Sequence, residues 1–327
     1  MNKKLLGYAA LFVGIALLPT LGAYPVFVMK VLCYALFACA FNLLIGFTGL
    51  LSFGHAAFLG TAGYFTGHAL KVWGLPTPVG LLVGMGGAAI VGLLFGLLAI
   101  RRSGIYFSMI TLALAQMLYF YFLQAPFTGG EDGLQSVPRG HFLGLDLASD
   151  TTLFYVVLGI FIAAFWLIYR IVHSPFGQVL TSIRENEARA TSLGYDTAHF
   201  KLLAFVLSAA LAGLAGATKT LVLGFATLTD AIWTTSGLVI LMTLVGGMGT
   251  LTGPMVGALV IIALENKIGD LGNLLADLTG VAWFNSLGES VSLVTGLIFI
   301  VCVLAFRRGL VGETVALWER WSSRRAT

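Results

Sequence analysis

What most limits this chain is the spacing of its apolar runs. Residues 5–22, 25–45, 46–70, 78–100, 104–123, 151–172, 201–223, 233–245, 255–269 and 288–306 are each largely uncharged. Most approach the ~20 residues that a helix needs to cross a bilayer. Lipid offers no hydrogen bonds to a backbone, so a chain threading it must satisfy its N–H and C=O groups within helices or a closed barrel. Uninterrupted apolar runs of this length point to helices. The expected fold is therefore an all-α integral membrane protein, a polytopic bundle of about ten transmembrane segments, some broken or re-entrant. It forms a single domain over 1–327, since no tract is long and polar enough to fold separately in water. Composition agrees: 58% of residues are hydrophobic and 10% charged, against roughly a quarter charged in a soluble domain.

Interruptions in the runs carry the next layer of information. Glycines punctuate 46–64 (Gly46, Gly49, Gly54) and 246–254 (Gly246, Gly247, Gly249). Irregular backbone at membrane depth survives only where it is buried in protein or lines a cavity. Two readings stand side by side: each break lines a solute pathway through Gly49, Ser52, Gly54 and His55 or through Gly246, Gly247, Gly249 and Thr250, or each is a cytoplasmic turn. His55 is either a solute contact or a buried histidine satisfied by a neighbouring carbonyl. The fourth run has a different rhythm, with Gly80, Gly84, Ala88, Gly92 and Gly96 at four-residue spacing. On a helix they make one smooth stripe for close backbone approach. Ala209, Gly213 and Ala217 repeat the device in the seventh run.

Charge sets orientation. Lys3/Lys4, Arg101/Arg102, Arg184/Arg189/Lys201 and Arg307/Arg308 with the basic tail fall on one side of a ten-span arrangement, and the acidic loop 125–150 on the other. The positive-inside rule then puts both termini in the cytoplasm and 125–150 outside. A net charge of +4, concentrated at segment ends, is a topology signal and no footprint for nucleic acid. Cys33, Cys39 and Cys302 sit inside apolar runs and read as small buried hydrophobes. The chain has no G-x-x-x-x-G-K-[ST] loop, H-E-x-x-H or metal-ligand cluster, and Gly129–Gly133 lacks the spacing of a calcium loop. Ionisable residues near the spans (Lys30, Lys219, Asp230, Glu265, Lys267) lie mostly at predicted ends, which argues against an ion-coupled carrier.

One polar stretch stands out, 173–201, with Arg184, Glu185, Glu187, Arg189, Asp196 and Lys201 between two apolar runs. Pro175 and Gly177 bring the chain out of the sixth span. Residues 178–193 favour one helix, with Leu180, Ile183, Ala190 and Leu193 on an apolar side and Arg184, Glu187 and Thr191 on another. Gly194 is placed to stop it as a left-handed cap. Its balanced charges do not suit a basic lipid-binding face, so the stretch reads as a docking helix for a soluble partner.

At these residues the sequence resembles a known family. NLLIGFTGLLSFGHAAFLGTAGY (42–64), SGIYFSMITLALAQMLY (103–119), TGGEDGL (128–134), the run 176–217 and GGMGTLTGPMVGALV (246–260) are similar to the inner-membrane permease subunits of bacterial branched-chain amino acid ABC transporters, LivM type. The resemblance implies an importer in the bacterial inner membrane for Leu, Ile and Val. It would be built with a second permease subunit (LivH type), two cytoplasmic ATP-binding subunits and a periplasmic solute-binding protein. ATP and Mg would be used by those partners, with no cofactor or metal bound by this chain and no enzymatic activity of its own. It also implies that Arg184, Glu185, Asn186, Glu187, Ala190 and Gly194 form the EAA-type coupling loop, and that Gly130, Asp132 and Gly133 meet the binding protein. The chain departs from the pattern at Arg189, where a second alanine is usual, and at AFRRGL (305–310) in place of F-x-P-R-G-L. Related permeases serve urea, short amides or other amino acids. A stand-alone secondary carrier and a non-transporting receptor are the competing classes; activity of the purified chain alone would identify the carrier.

Overall fold

Proline, glycine and polar caps decide where the helices of this chain start and stop. The computed structural model describes residues 3–279, 296–297, 300 and 309–313. Helix α1 (Lys3–Ala16) ends ahead of Pro19, and α2 (Pro25–Thr48) begins on its own proline, which lacks an N–H that a first turn would leave unused. There follow α3 (His55–Lys71), α4 (Thr77–Ala99), α5 (Ile105–Gln124) and α6 (Asp150–Val172). The polar stretch holds α7 (Pro175–Glu185) and α8 (Glu187–Ser192), after which come α9 (Thr197–Leu223), α10 (Trp233–Gly246) and α11 (Gly253–Thr279).

Among the described residues, five helices are long and apolar enough to cross a membrane: α2, α4, α5, α6 and α9. This is fewer than the ten expected, for local reasons. The first glycine break delays α3 until His55 and leaves it 17 residues. Pro19 and Gly22 cut α1 to 14, and the second break ends α10 after 14. The tenth expected span, 288–306, falls almost entirely outside the described residues, as do Cys302, Arg307 and Arg308.

The chain divides into two compact units, Met1–Gly237 and Leu238–Thr327. In the first, α9 is the central post against which α2, α3 and α4 pack. The stripe on α4 makes this possible. A Cβ at Gly84 would collide with the hydroxyl of Thr66, the carbonyl of Ala62 and the side chain of Ala217; one at Gly92 would strike Ala209. Ala88 in turn fills the space over Gly213. In lipid such contacts work by van der Waals packing, because hydrocarbon tails are as apolar as leucine and give no hydrophobic drive between helices. The opposite faces of α4 and α5 leave Leu82, Ile90, Leu98, Ile105, Met109 and Met117 exposed, an apolar band of the sort that meets lipid.

The loop 125–150 is laced over one end of this unit. Leu134 and Ala226 exchange two backbone hydrogen bonds, and Val137 N–H donates to Gly224 O at 2.8 Å. Lys71 Nζ donates to Gln135 O at 2.7 Å, and Arg139 pairs with Asp150 at 2.6 Å. A two-residue turn, Leu143–Gly144, both at positive φ, joins strands β1 (His141–Phe142) and β2 (Leu145–Asp146) in the manner of a tight hairpin. In the second unit α10 and α11 meet closely: a Cβ at Gly257 would enter the carbonyl of Met242, and one at Gly246 the backbone of Gly253.

If the stripe holds the first unit together, Gly84→Leu should destabilise the detergent-solubilised protein by about 3 kcal/mol or more, since the clash is partly with backbone. Gly86→Leu, on the same helix with nothing within 4 Å of its Cβ, should change stability by less than ~0.5 kcal/mol. Thermal melting of the two variants side by side checks this; equal melting temperatures would refute it.

Candidate functional site

Between α6 and α9 the chain builds a polar elbow. Ser174 caps α7 by accepting from Gly177 N–H, and Pro175 occupies its first turn. Gly177 is required there, because a Cβ would meet the carbonyls of Ile171 and Val172 at the end of α6. Leu180 and Ile183 are buried beneath α7, which packs on α2. The single helix expected over 178–193 is instead two. Asn186 is extended (φ −159°, ψ 99°) and its Oδ1 accepts from Arg189 N–H at 3.0 Å. An asparagine side chain competes well with the backbone at such a position, so it ends α7 and caps α8 in one step.

Gly194 ends α8 as its sequence position suggests. At φ +89° it donates to Thr191 O at 2.9 Å while Tyr195 N–H donates to Ala190 O at 3.3 Å, the paired bonds of a Schellman cap. Asp196 then caps α9 by accepting from His199 N–H. Phe176 stacks on Phe200 at 5.6 Å, closing the base of the elbow.

The charged residues divide in a way the sequence did not reveal. Arg184 reaches down to donate to Gly46 O, with its stem 2.9 Å from where a Cβ on Gly49 would sit. It thus caps the carbonyl end of α2, where a cation is favoured by both the helix dipole and a charge-assisted hydrogen bond. Glu187 pairs with the buried Lys201 of α9 and accepts from Thr197 Oγ1 at 3.2 Å. Ala190 is buried. So Ala190, the Arg184 guanidinium and the Glu187 carboxylate hold the elbow to the bundle, although Arg184 and Glu187 stay exposed like Glu185, Ala188, Arg189 and Ser192. Leu193, expected on the buried side with Leu180 and Ile183, is 71% exposed, and Tyr195 beside it is 42% exposed. Breaking the helix at Asn186 rotates α8 relative to α7, which turns Leu193 out.

The first glycine break lies next to this elbow. Gly49, at φ +75°, caps α2, and the groups expected to be free are engaged by neighbours. Ser108 Oγ donates to Leu51 O at 2.7 Å, Phe53 N–H donates to Thr111 Oγ1 at 3.2 Å, Gly54 N–H to Ser52 Oγ at 3.1 Å, and Ala56 N–H to Ser236 Oγ at 2.9 Å. The geometry is that of a turn at the elbow end of the bundle. His55 is buried among Phe41, Phe58 and Phe205. Its Nε2 lies 2.8 Å from Ser208 Oγ, which itself donates to Ala40 O at 2.6 Å. A hydroxyl has one proton, so Nε2 must be the donor. Nε2 of His55 is thus paired with a serine rather than with the carbonyl expected, while its buried Nδ1 makes no hydrogen bond.

Ser108, Thr111, Ser208 and Ser236 were all missed by sequence reasoning. The signal was there for one pair: Ser108 and Thr111 are three apart on an otherwise apolar helix, hence on one face. The second break belongs to the other unit. Gly247 (φ +120°) and Gly249 (φ +74°) supply the turn, and Thr250 Oγ1 donates to Gly247 O at 2.8 Å while accepting from Gly253 N–H at 3.0 Å. In the loop, Gly133 is pressed on Ala226 O, Gly130 is part-buried, and Glu131 and Asp132 are exposed, presenting their carboxylates outward.

Residues 25–306 match the family described as branched-chain amino acid transport system / permease component. The chain belongs to that family. It is 26% identical over 243 residues to the high-affinity branched-chain amino acid transport system permease protein LivM of Salmonella typhimurium, covering 66% of this chain and 57% of that protein. To LivM of Escherichia coli it is 27% identical over 212 residues, 56% of this chain and 49% of the relative. The chain thus spans about half the length of these curated relatives. Among solved structures, PsaBC from Streptococcus pneumoniae in complex with Fab aligns with 85% of the chain and 91% of its own, at 15% identity and a TM-score of 0.39.

Within this permease family member, the Glu187–Lys201 pair should decide how firmly α8 is held. Lys201→Met removes the buried ammonium while keeping its stem, and is expected to raise amide exchange in residues 188–193 at least about tenfold, through easier local opening. Exchange in α7 should not move. Unchanged protection of α8 would sink the assignment.

Proposed function

We propose that this chain is a transmembrane permease subunit of an ATP-driven importer for branched-chain amino acids in the bacterial inner membrane. In this reading it pairs with a second permease subunit of the LivH type. Two cytoplasmic ATP-binding subunits, which hold ATP and Mg, drive it, and a periplasmic solute-binding protein feeds it through the acidic turn at Gly130, Asp132 and Gly133. The observation that carries the reading is the elbow: a capped, braced polar structure between two apolar helices, with an outward face that nothing in the first unit covers.

Physics suggests how such a part works. A partner gripping the outer face of α8 pulls on Glu187, and through Lys201 on the start of α9. The same pull on α7 acts through Arg184 on the end of α2. Both long helices then tilt together, which is the motion an alternating-access permease needs. The glycine breaks serve as joints in this scheme. Solute could run along Gly49, Ser52, Gly54 and His55 only if Ser108, Thr111 and Ser236 released the backbone they hold.

Docking should depend on the exposed Leu193 more than on Glu187, which is exposed but already paired with Lys201. Leu193→Asp is expected to lower recovery of the ATP-binding subunits in an affinity pull-down by roughly 30-fold, the size of a buried apolar contact at an interface. Glu187→Ala combined with Gly194→Val should leave membrane insertion intact but separate ATP hydrolysis from uptake in proteoliposomes. Full recovery with Leu193→Asp would discard the docking face, and normal transport by the double variant would discard the lever.

A further inference from the structure

At the far end of α9 from the elbow the first unit buries a pair of charges. Lys219 lies 22 residues beyond the start of α9, hence roughly 33 Å along its axis at 1.5 Å per residue. Its ammonium pairs with Asp230, carried by a single 3-10 turn (Leu228–Asp230) just past the end of the helix; the two side chains are 8% and 11% exposed. The ring of Tyr34 on α2 lies 5.5 Å from Lys219 Nζ. Across from them Tyr64 of α3 is buried to 1% exposure, and its hydroxyl makes no hydrogen bond. That hydroxyl lies within electrostatic reach of Asp230 and Tyr119.

A buried ion pair is a poor way to stabilise a fold, since apolar residues of the same size do as well or better. Ionisable groups inside a membrane bundle mark a function by default. The unpartnered tyrosine is a second, independent sign, because buried hydroxyls nearly always find a partner. What surrounds these groups narrows the ligand. Tyr64, Phe122, Ala226, Leu228 and Ala231 form one apolar cluster, with Leu134 packed against it. The site therefore brings one cation and one anion, paired with each other, beside an apolar cluster that contains the Tyr64 ring and its unpartnered hydroxyl. An α-amino acid zwitterion with an apolar side chain has the matching groups.

We propose that Lys219, Asp230 and Tyr64 form a recognition site for such a zwitterion at the outward end of the first unit. The pair is the closed state. An arriving amino acid places its carboxylate on Lys219 and its ammonium on Asp230, so both buried charges exchange partners at once and neither is left bare. The Tyr64 hydroxyl donates to the same carboxylate, and the aliphatic side chain lies on the Phe122–Leu228 cluster. A 2-oxo acid would satisfy Lys219 and strand Asp230, and a neutral amide would supply a counter-charge to neither, so the exchange selects zwitterions. This inference rests on the importer reading above and adds a solute contact to it.

The test uses the complete complex with its binding protein in proteoliposomes, following uptake of labelled leucine alongside ATP hydrolysis. Lys219→Met with Asp230→Leu is expected to lower uptake at least tenfold while leaving assembly and hydrolysis near their original levels. Tyr64→Phe, which removes only the unpartnered hydroxyl, should lower uptake several-fold with no loss of thermal stability. Asp230→Asn should narrow the preference for leucine over its 2-oxo acid. If the original complex imports leucine and the Lys219/Asp230 and Tyr64 variants import it equally well, the site is wrong and the importer reading stands. If the original complex imports no amino acid, both fall. Should the double variant not assemble, Tyr64→Phe decides: unchanged uptake overturns the site.

Discussion

The close approach of α4 to α3 and α9 is the contact on which the rest depends. Gly84, Gly92 and Gly213 remove the side chains that would hold these axes apart, and Ala62, Ala88, Ala209 and Ala217 fill the space left. Once α9 is held on three sides by α2, α3 and α4, a 27-residue helix becomes a rigid post. The elbow sits at its start and the Lys219–Asp230 pair near its end.

Backbone accounting explains the polar residues of the interior. A break between α2 and α3 frees N–H and C=O groups that lipid cannot satisfy. Ser108, Thr111, Ser236 and Arg184 each supply one hydrogen bond to that break, and they come from three different places in the sequence. The turn is therefore assembled by the tertiary structure and has little shape of its own. The same holds for Ser208, which joins His55 on α3 to Ala40 on α2.

Much of this was legible beforehand, in the features governed by local rules. Hydropathy located the five helices long and apolar enough to span, four-residue spacing of small side chains marked α4 and α9 as close-packing helices without pairing them, and Gly194 is recognisable as a cap. The elbow was recognised as polar and structured, yet its faces were misjudged. One helical period was run through Asn186, and that residue's competition for the backbone ends the helix there. The pairing of Glu187 with Lys201, and of Lys219 with Asp230, spans 14 and 11 residues across chain turns. No periodicity reports such contacts. Arg184 looked like a docking charge because its acceptor, a carbonyl 138 residues earlier, carries no signature in a sequence.

The extended residue between α7 and α8 has a mechanical consequence. α7 is fastened to α2 through Arg184 and α8 to α9 through Glu187, and the backbone between them changes direction at Asn186, although the Phe176–Phe200 stack also ties the base of α7 to α9. Under the lever proposal, a force on the elbow would reach α2 and α9 by different contacts, as a change in the angle between α7 and α8 as well as a common displacement. Stiffening that one joint would turn the two levers into a single strut. The elbow would then pass on only the common displacement of α2 and α9.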